Sequence, residues 1–154
     1  MKLRSLCAAS GFLVLFTAPV HAGAQSASPL SVQASGTALI VEDGLVPGGE
    51  VQLRITGSRL SLGAGYQVFT RDGARSEIAF VEPRLRLVKI ASAAVYAAGR
   101  AGRVRVTETF VFGGGGGLLI ALNRRAALDA GAQVYSSDAK TTITQARLGL
   151  SLGF

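Results

Sequence analysis

Several charged residues of this chain stand two or four positions apart. Glu50 and Arg54 stand in one stretch, Glu82, Arg84 and Arg86 in another, and Arg100, Asp129 and Arg147 each sit between small or apolar neighbours. In an extended chain, positions two or four apart share one face. Carboxylates and guanidinium groups on one face can form charge-assisted hydrogen bonds, which offset much of the cost of removing each charge from water. This pattern suits a buried ion-pair network better than a reaction centre. It also admits a sharper reading, an arginine-lined anion path or a gate that opens by exchange of partners.

Catalytic arrangements are scarce. The one adjacent acidic pair, Glu42–Asp43, sits in a turn-like stretch, a poor place for two carboxylates that must share acid and base roles. The run Gly113–Gly117 lacks the Lys-Ser/Thr that follows a phosphate loop, and no helical pattern follows it. The chain holds one Cys and one His, Cys7 and His21. Both fall within a leader-like segment: Lys2 and Arg4, an apolar run from Leu6 to Val20, then Val20-His21-Ala22 as a small-residue cleavage site. Residues 1–22 therefore read as a secretory signal peptide, and residues 23–154 as one domain. A mature chain without Cys or His has no Ser-His-Asp triad, no cysteine nucleophile and no His-ligated zinc site, so no cofactor or metal is expected.

The 154 residues carry 16 basic and 9 acidic groups, a formal charge of +7. That balance raises nucleic acid as a partner. However, most of the arginines alternate with apolar residues and form no exposed stripe with aromatics between them, so nucleic-acid binding is not expected. With 16% charged and 49% hydrophobic residues, the chain is no charged disordered polymer.

The elements that would position the charges are strands. Period-two alternation recurs through Val51–Ile55, Leu60–Val68, Val81–Leu87, Leu128–Val134 and Ala146–Phe154. Turn residues punctuate it at Asp43-Gly44, Pro47-Gly48-Gly49, Thr56-Gly57-Ser58, Asp72-Gly73, Lys89–Ser92, Asn123–Arg125 and Ser136–Lys140. About eight strands result, near 31–42, 49–56, 59–71, 76–88, 92–105, 108–122, 125–136 and 143–154. The alternation is least clean in the Ala- and Gly-rich stretches near 31–42 and 91–122. An even count of strands this long fits an all-β, transmembrane, up-and-down antiparallel barrel.

Alternation alone does not say which face looks inward. The polar face carries Gly63, Gly65, Gly131, Gly149 and Gly153, which leaves room for long arginines in a narrow lumen. The apolar set Leu148, Leu150, Leu152 leads to Phe154. Both features favour an outward apolar face. The stretches Gly48–Arg54, Leu62–Tyr66, Val81–Arg84, Tyr96–Gly102 and Gly113–Gly117, with the closing Leu-Gly-Leu-Ser-Leu-Gly-Phe, resemble the small eight-stranded bacterial outer-membrane β-barrel proteins. The resemblance implies an outer-membrane location and a C-terminal strand, Leu148, Leu150, Leu152 and Phe154, read by the barrel-assembly machinery.

The expected protein is a monomeric, non-enzymatic barrel with a structural or minor channel role. Its lumen would be plugged by Glu50, Arg54, Glu82, Arg84, Arg86, Arg100, Asp129 and Arg147. Both termini would lie in the periplasm, with the connections near 43–48, 72–75, 104–108 and 136–141 outside. Arg71, Arg75, Arg103, Arg105, Arg124, Arg125 and Lys140 would mark the rims and meet lipid or lipopolysaccharide phosphates. Tyr66, Phe69, Phe80, Tyr96, Phe110, Phe112 and Tyr135 would supply interfacial girdles, with some of them facing the lumen. Two other readings compete: a soluble periplasmic barrel with an apolar ligand inside, and a lipid-modifying outer-membrane enzyme. The enzymes of that kind use a histidine that the mature chain lacks.

Overall fold

A computed structural model describes residues 29–41, 44–137 and 142–154; the leader-like segment, Glu42–Asp43 and Lys140 lie outside them. Eight strands follow in order: β1 (Leu30–Val41), β2 (Gly44–Thr56), β3 (Leu60–Arg71), β4 (Ala74–Ile90), β5 (Ala93–Val104), β6 (Phe110–Ala121), β7 (Ala126–Ser137) and β8 (Thr142–Gly153). Each pairs antiparallel with the next, and β8 closes on β1 with Ala34 opposite Leu150. Closure leaves no unpaired edge, so every strand finds ladder partners on both sides.

The two faces separate by residue parity. In β2, Val51, Leu53 and Ile55 are 56, 50 and 62% exposed, while Gln52 between them is 1% exposed. The same division holds around the wall: Leu62, Val81, Leu85, Val134 and Leu148 point out, whereas Gln33, Gln67, Glu82, Asp129, Gln133 and Gln145 are buried inside. A soluble barrel would reverse this, with apolar groups in and charges out. The outward apolar wall and the inward polar set are those of a membrane-spanning barrel. They overturn the reading as a soluble barrel with an apolar ligand cavity.

The tight turns follow from local chemistry. Arg71 pairs with Ala74, so Asp72-Gly73 is a two-residue hairpin, and both residues have positive φ, 51° and 79°. Such a turn matches the twist of the flanking strands and favours Asp-Gly. At the other rim Asn123 Oδ1 accepts hydrogen bonds from the Arg125 and Ala126 amides, both at 2.8 Å, and fixes the β6–β7 turn.

Two turn expectations shift. Pro47-Gly48-Gly49 lies inside β2, paired with Ala38, Thr37 and Gly36. At Pro47 the strand has only β1 beside it, because pairing with β3 begins at Gly48. A proline is tolerated at such an edge. Lys89 and Ile90 likewise belong to β4, and the turn shrinks to Ala91-Ser92.

Inward glycines set how much side chain the lumen admits. A Cβ at Gly63 would sit 2.6 Å from Gln52 Oε1 and 2.7 Å from Arg54 Nη2. One at Gly65 would sit 2.5 Å from the Val51 carbonyl and 2.8 Å from Phe80 Cζ. Gly113, Gly115 and Gly117 give the same room to Tyr135, Gln133 and Tyr96. Gly65→Val should therefore cost about 1–3 kcal/mol or prevent closure. The outward Gly36→Ala, whose Cβ meets nothing nearer than 3.9 Å, should refold like the parent. Gel mobility with and without boiling, combined with urea unfolding in lipid vesicles, measures both.

Candidate functional site

The lumen is divided into layers. Towards the rim that carries the Asp72-Gly73 turn, Val46, Phe69, Phe80, Val111 and Tyr135 are buried together in the interior. The middle layer is ionic, and Glu82 is its centre, with 0% exposure. Its Oε1 accepts from Arg54 Nη2 at 2.8 Å, Arg84 Nε at 2.6 Å and Arg147 Nη2 at 3.1 Å. Its Oε2 accepts from Arg100 Nε at 2.8 Å, Arg147 Nη1 at 2.8 Å and Gln133 Nε2 at 3.0 Å. One carboxylate thus ties β2, β4, β5, β7 and β8 together across the lumen.

Two further acids complete the layer. Asp129 accepts from Arg84 Nη1 and, at 2.7 Å, from the Tyr96 hydroxyl. Glu50 accepts from Arg100 Nη1 at 2.7 Å and Gln52 Nε2 at 3.1 Å. Aromatic faces carry the remaining guanidinium surface: Arg100 lies 3.8 Å from the Phe80 ring centre and Arg84 lies 4.5 Å from that of Tyr96. Cation–π contact of this kind is strengthened by exclusion of water. The arrangement holds fixed charges in register.

Of the residues singled out by spacing, Glu50, Arg54, Glu82, Arg84, Arg100, Asp129 and Arg147 meet in this layer. Arg86 does not. It shares their face but lies one step nearer the rim, where its Nη1 donates to the Ser58 carbonyl at 3.1 Å. Residues that spacing did not single out also belong: Gln33 accepts from Arg84 at 3.2 Å, Gln67 from Arg100 at 3.2 Å and Gln52 from Arg54 at 2.7 Å. Their signal was the same parity as the arginines. The aromatic set divides: Tyr66, Phe110 and Phe112 lie on the outer face, whereas Phe69, Phe80, Tyr96 and Tyr135 are buried in the lumen. Phe80, Tyr96 and Tyr135 pack against lumenal arginines instead of a headgroup layer.

Above the ionic layer, on the side of Pro29 and Phe154, the lumen opens into a vestibule of about 580 Å³. Arg54, Arg84 and Tyr96 form its floor. Arg59, Arg86, Lys89, Arg124 and Arg125 line its wall and mouth.

No protein-family model matches the chain, and no curated protein matches it in sequence. Solved structures do match in shape. Neisserial surface protein A is 11% identical with a TM-score of 0.63, over 81% of this chain and 96% of that one. A designed transmembrane β-barrel is 12% identical with a TM-score of 0.59, over 83% of this chain and 98% of that one. The Yersinia pestis attachment protein Ail, solved with the heparin analogue sucrose octasulfate, is 14% identical with a TM-score of 0.50, over 81% of this chain and 96% of that one. The fold is that of a small outer-membrane β-barrel. Identities this low fix the architecture of the barrel and leave its task to its own residues.

Within the barrel, Glu82 is the residue whose loss should matter most. Glu82→Gln removes the charge that faces four arginines and leaves them to repel one another. Breaking a buried pair this way costs about 3–5 kcal/mol. Glu77, at the rim with Arg75 at 2.9 Å and Arg105 at 3.8 Å, is the control. Its exposed partners are screened by solvent, so Glu77→Gln should have a much smaller effect. Urea unfolding of both variants in the same vesicles separates the two cases.

Proposed function

We propose that this is a non-enzymatic outer-membrane barrel with a structural role, closed to solutes by the ionic layer around Glu82. The observation that carries this reading is the convergence of four arginines from β2, β4, β5 and β8 on one fully buried carboxylate, with Phe80 and Phe69 buried beyond it. A solute would have to break several charge-assisted bonds at once to pass. Such a layer favours a fixed wall over a general diffusion pore. The absence of His and Cys after position 22 of the sequence weighs against the lipid-modifying enzyme reading.

The surroundings of the barrel follow from its surface. The strand Thr142–Gly153 presents Leu148, Leu150 and Leu152 outward, with Phe154 beyond it, so these residues are available to an assembly machinery that reads a terminal strand. At the Asp72-Gly73 rim, Arg71, Arg75, Arg103 and Arg105 are exposed and suited to lipopolysaccharide phosphates. The ladder is complete within one chain, which is consistent with a monomer.

Planar-bilayer recording tests the closed lumen. Purified protein should insert with no steady conductance steps at moderate voltage, whereas Glu82→Ala, if it inserts, should show intermittent current. Steady ohmic steps from the parent protein would overturn the plug. Recovery of the protein in the soluble periplasmic fraction, instead of with outer membranes, would overturn the location.

A further inference from the structure

The vestibule and the ionic layer together carry a charge that the chain does not balance. The buried lumen holds four arginines, Arg54, Arg84, Arg100 and Arg147, against three carboxylates, Glu50, Glu82 and Asp129. An uncompensated charge in a water-poor interior is costly and needs a partner. The excess adjoins the vestibule: Arg54 forms part of its floor, is 5% exposed, and its buried Nε has no hydrogen-bond partner.

The vestibule wall has the same sign. Arg59, Arg86, Lys89, Arg124 and Arg125 line it with no acidic residue among the lining groups, and no carboxylate among the described residues pairs with any of these five. Like charges gathered round a concavity focus a positive potential into it.

The backbone reinforces the gathering. Arg86 pairs with Tyr96, Val88 with Val95 and Lys89 with Ala94, with a register shift between Arg86 and Val88. Leu87 is the extra residue of a β-bulge. Without the bulge, Arg86 and Lys89, three apart, would face opposite sides. With it, both side chains face the vestibule. Bulges re-aim side chains beside functional sites.

From the buried charge excess, the orphaned Arg54 Nε, the all-cationic wall and the bulge that turns Lys89 inward, we infer that the vestibule is a binding site for a phosphate-bearing anion. Phosphate oxygens suit it because several guanidinium forks can share them bidentately. The phosphate comes either from a small soluble ligand or from a lipid headgroup that leans into the mouth. The site is blind, since the ionic layer closes its floor, so it binds the anion without passing it on.

The test uses the full barrel refolded in zwitterionic phosphatidylcholine nanodiscs, titrated with sodium pyrophosphate at fixed ionic strength. Calorimetry measures affinity, and the arginine Nε–H resonances report the position of the ligand. The expected result is saturable binding that shifts Arg54 and Arg86. The pair Arg86→Gln with Lys89→Gln should weaken it by about tenfold or more, and Thr70→Ala, at an exposed uncharged residue of the opposite rim, should leave it unchanged. Lys89→Gln alone, at an exposed side chain, repeats the test with a smaller loss if the double variant does not fold. A second titration in discs containing phosphatidylglycerol distinguishes the sources: competition that abolishes pyrophosphate binding in the parent assigns the site to a lipid phosphate, and undiminished binding assigns it to a soluble one. Absent or non-saturating binding, or equal binding by parent and Lys89→Gln, would overturn the site.

Discussion

A carboxylate shared among arginines from different strands is the interaction on which this molecule depends. A barrel of eight strands has an interior just wide enough for side chains. A charge that occupies it needs a partner close by, because burial without one is costly. Glu82 meets that condition by accepting from Arg54, Arg84, Arg100 and Arg147, residues spread over four strands and most of the sequence. The ladders close the wall, and the ionic layer ties opposite sides of the wall together. Hydrophobic burial in the usual sense is nearly absent from the middle of this interior. The apolar surface faces lipid, where association of side chains with one another adds little.

That choice constrains the rest of the inner face. Arginine and tyrosine side chains that cross a narrow lumen need small residues opposite them. Gly63 makes way for Arg54, Gly65 for Phe80, and Gly117 and Gly131 for the Tyr96 hydroxyl. The five-glycine run of β6 is therefore part of the ionic layer, although none of its members carries charge. Its alternate members Gly113, Gly115 and Gly117 face inward, and a side chain at any of them would collide with backbone or ring atoms of β7 or β5. A strand so poor in side chains is stabilised by its ladder partners more than by its own packing.

The parity of the charges was legible because a strand repeats every two residues and the barrel leaves only two faces. Glu50, Arg54, Glu82, Arg84, Arg100, Asp129 and Arg147 are far apart in sequence, yet one rule places them all inside. Where the structure departs from the sequence reading, a local irregularity is the cause. The bulge at Leu87 breaks the period near the end of β4, so Lys89, read as a turn residue, continues the strand. Pro47 looks like a turn residue but stands where β2 has a single neighbour. The depth of Arg86 along the lumen is invisible to parity, which gives a face and no height. The buried aromatics were ambiguous for a related reason: Phe69 and Phe110 are chemically alike, and only their register with neighbouring strands sends one inward and the other out.

The three layers also make the lumen directional. Phe69, Phe80 and Val111 line one end with apolar surface, which has nothing to offer a charged solute. The other end opens on Arg54 and Arg84 and widens among unpaired cations. A barrel whose only role was to fill a membrane would have no reason to keep five basic side chains round one mouth and no acid among them, since a few interspersed carboxylates would lower the repulsion. The repulsion persists because the ionic layer below fixes Arg54 and Arg84, and the turns at Ser58 and Asn123 fix the mouth above. The same pairing that makes the barrel rigid thus holds a positive concavity open on one side of the membrane.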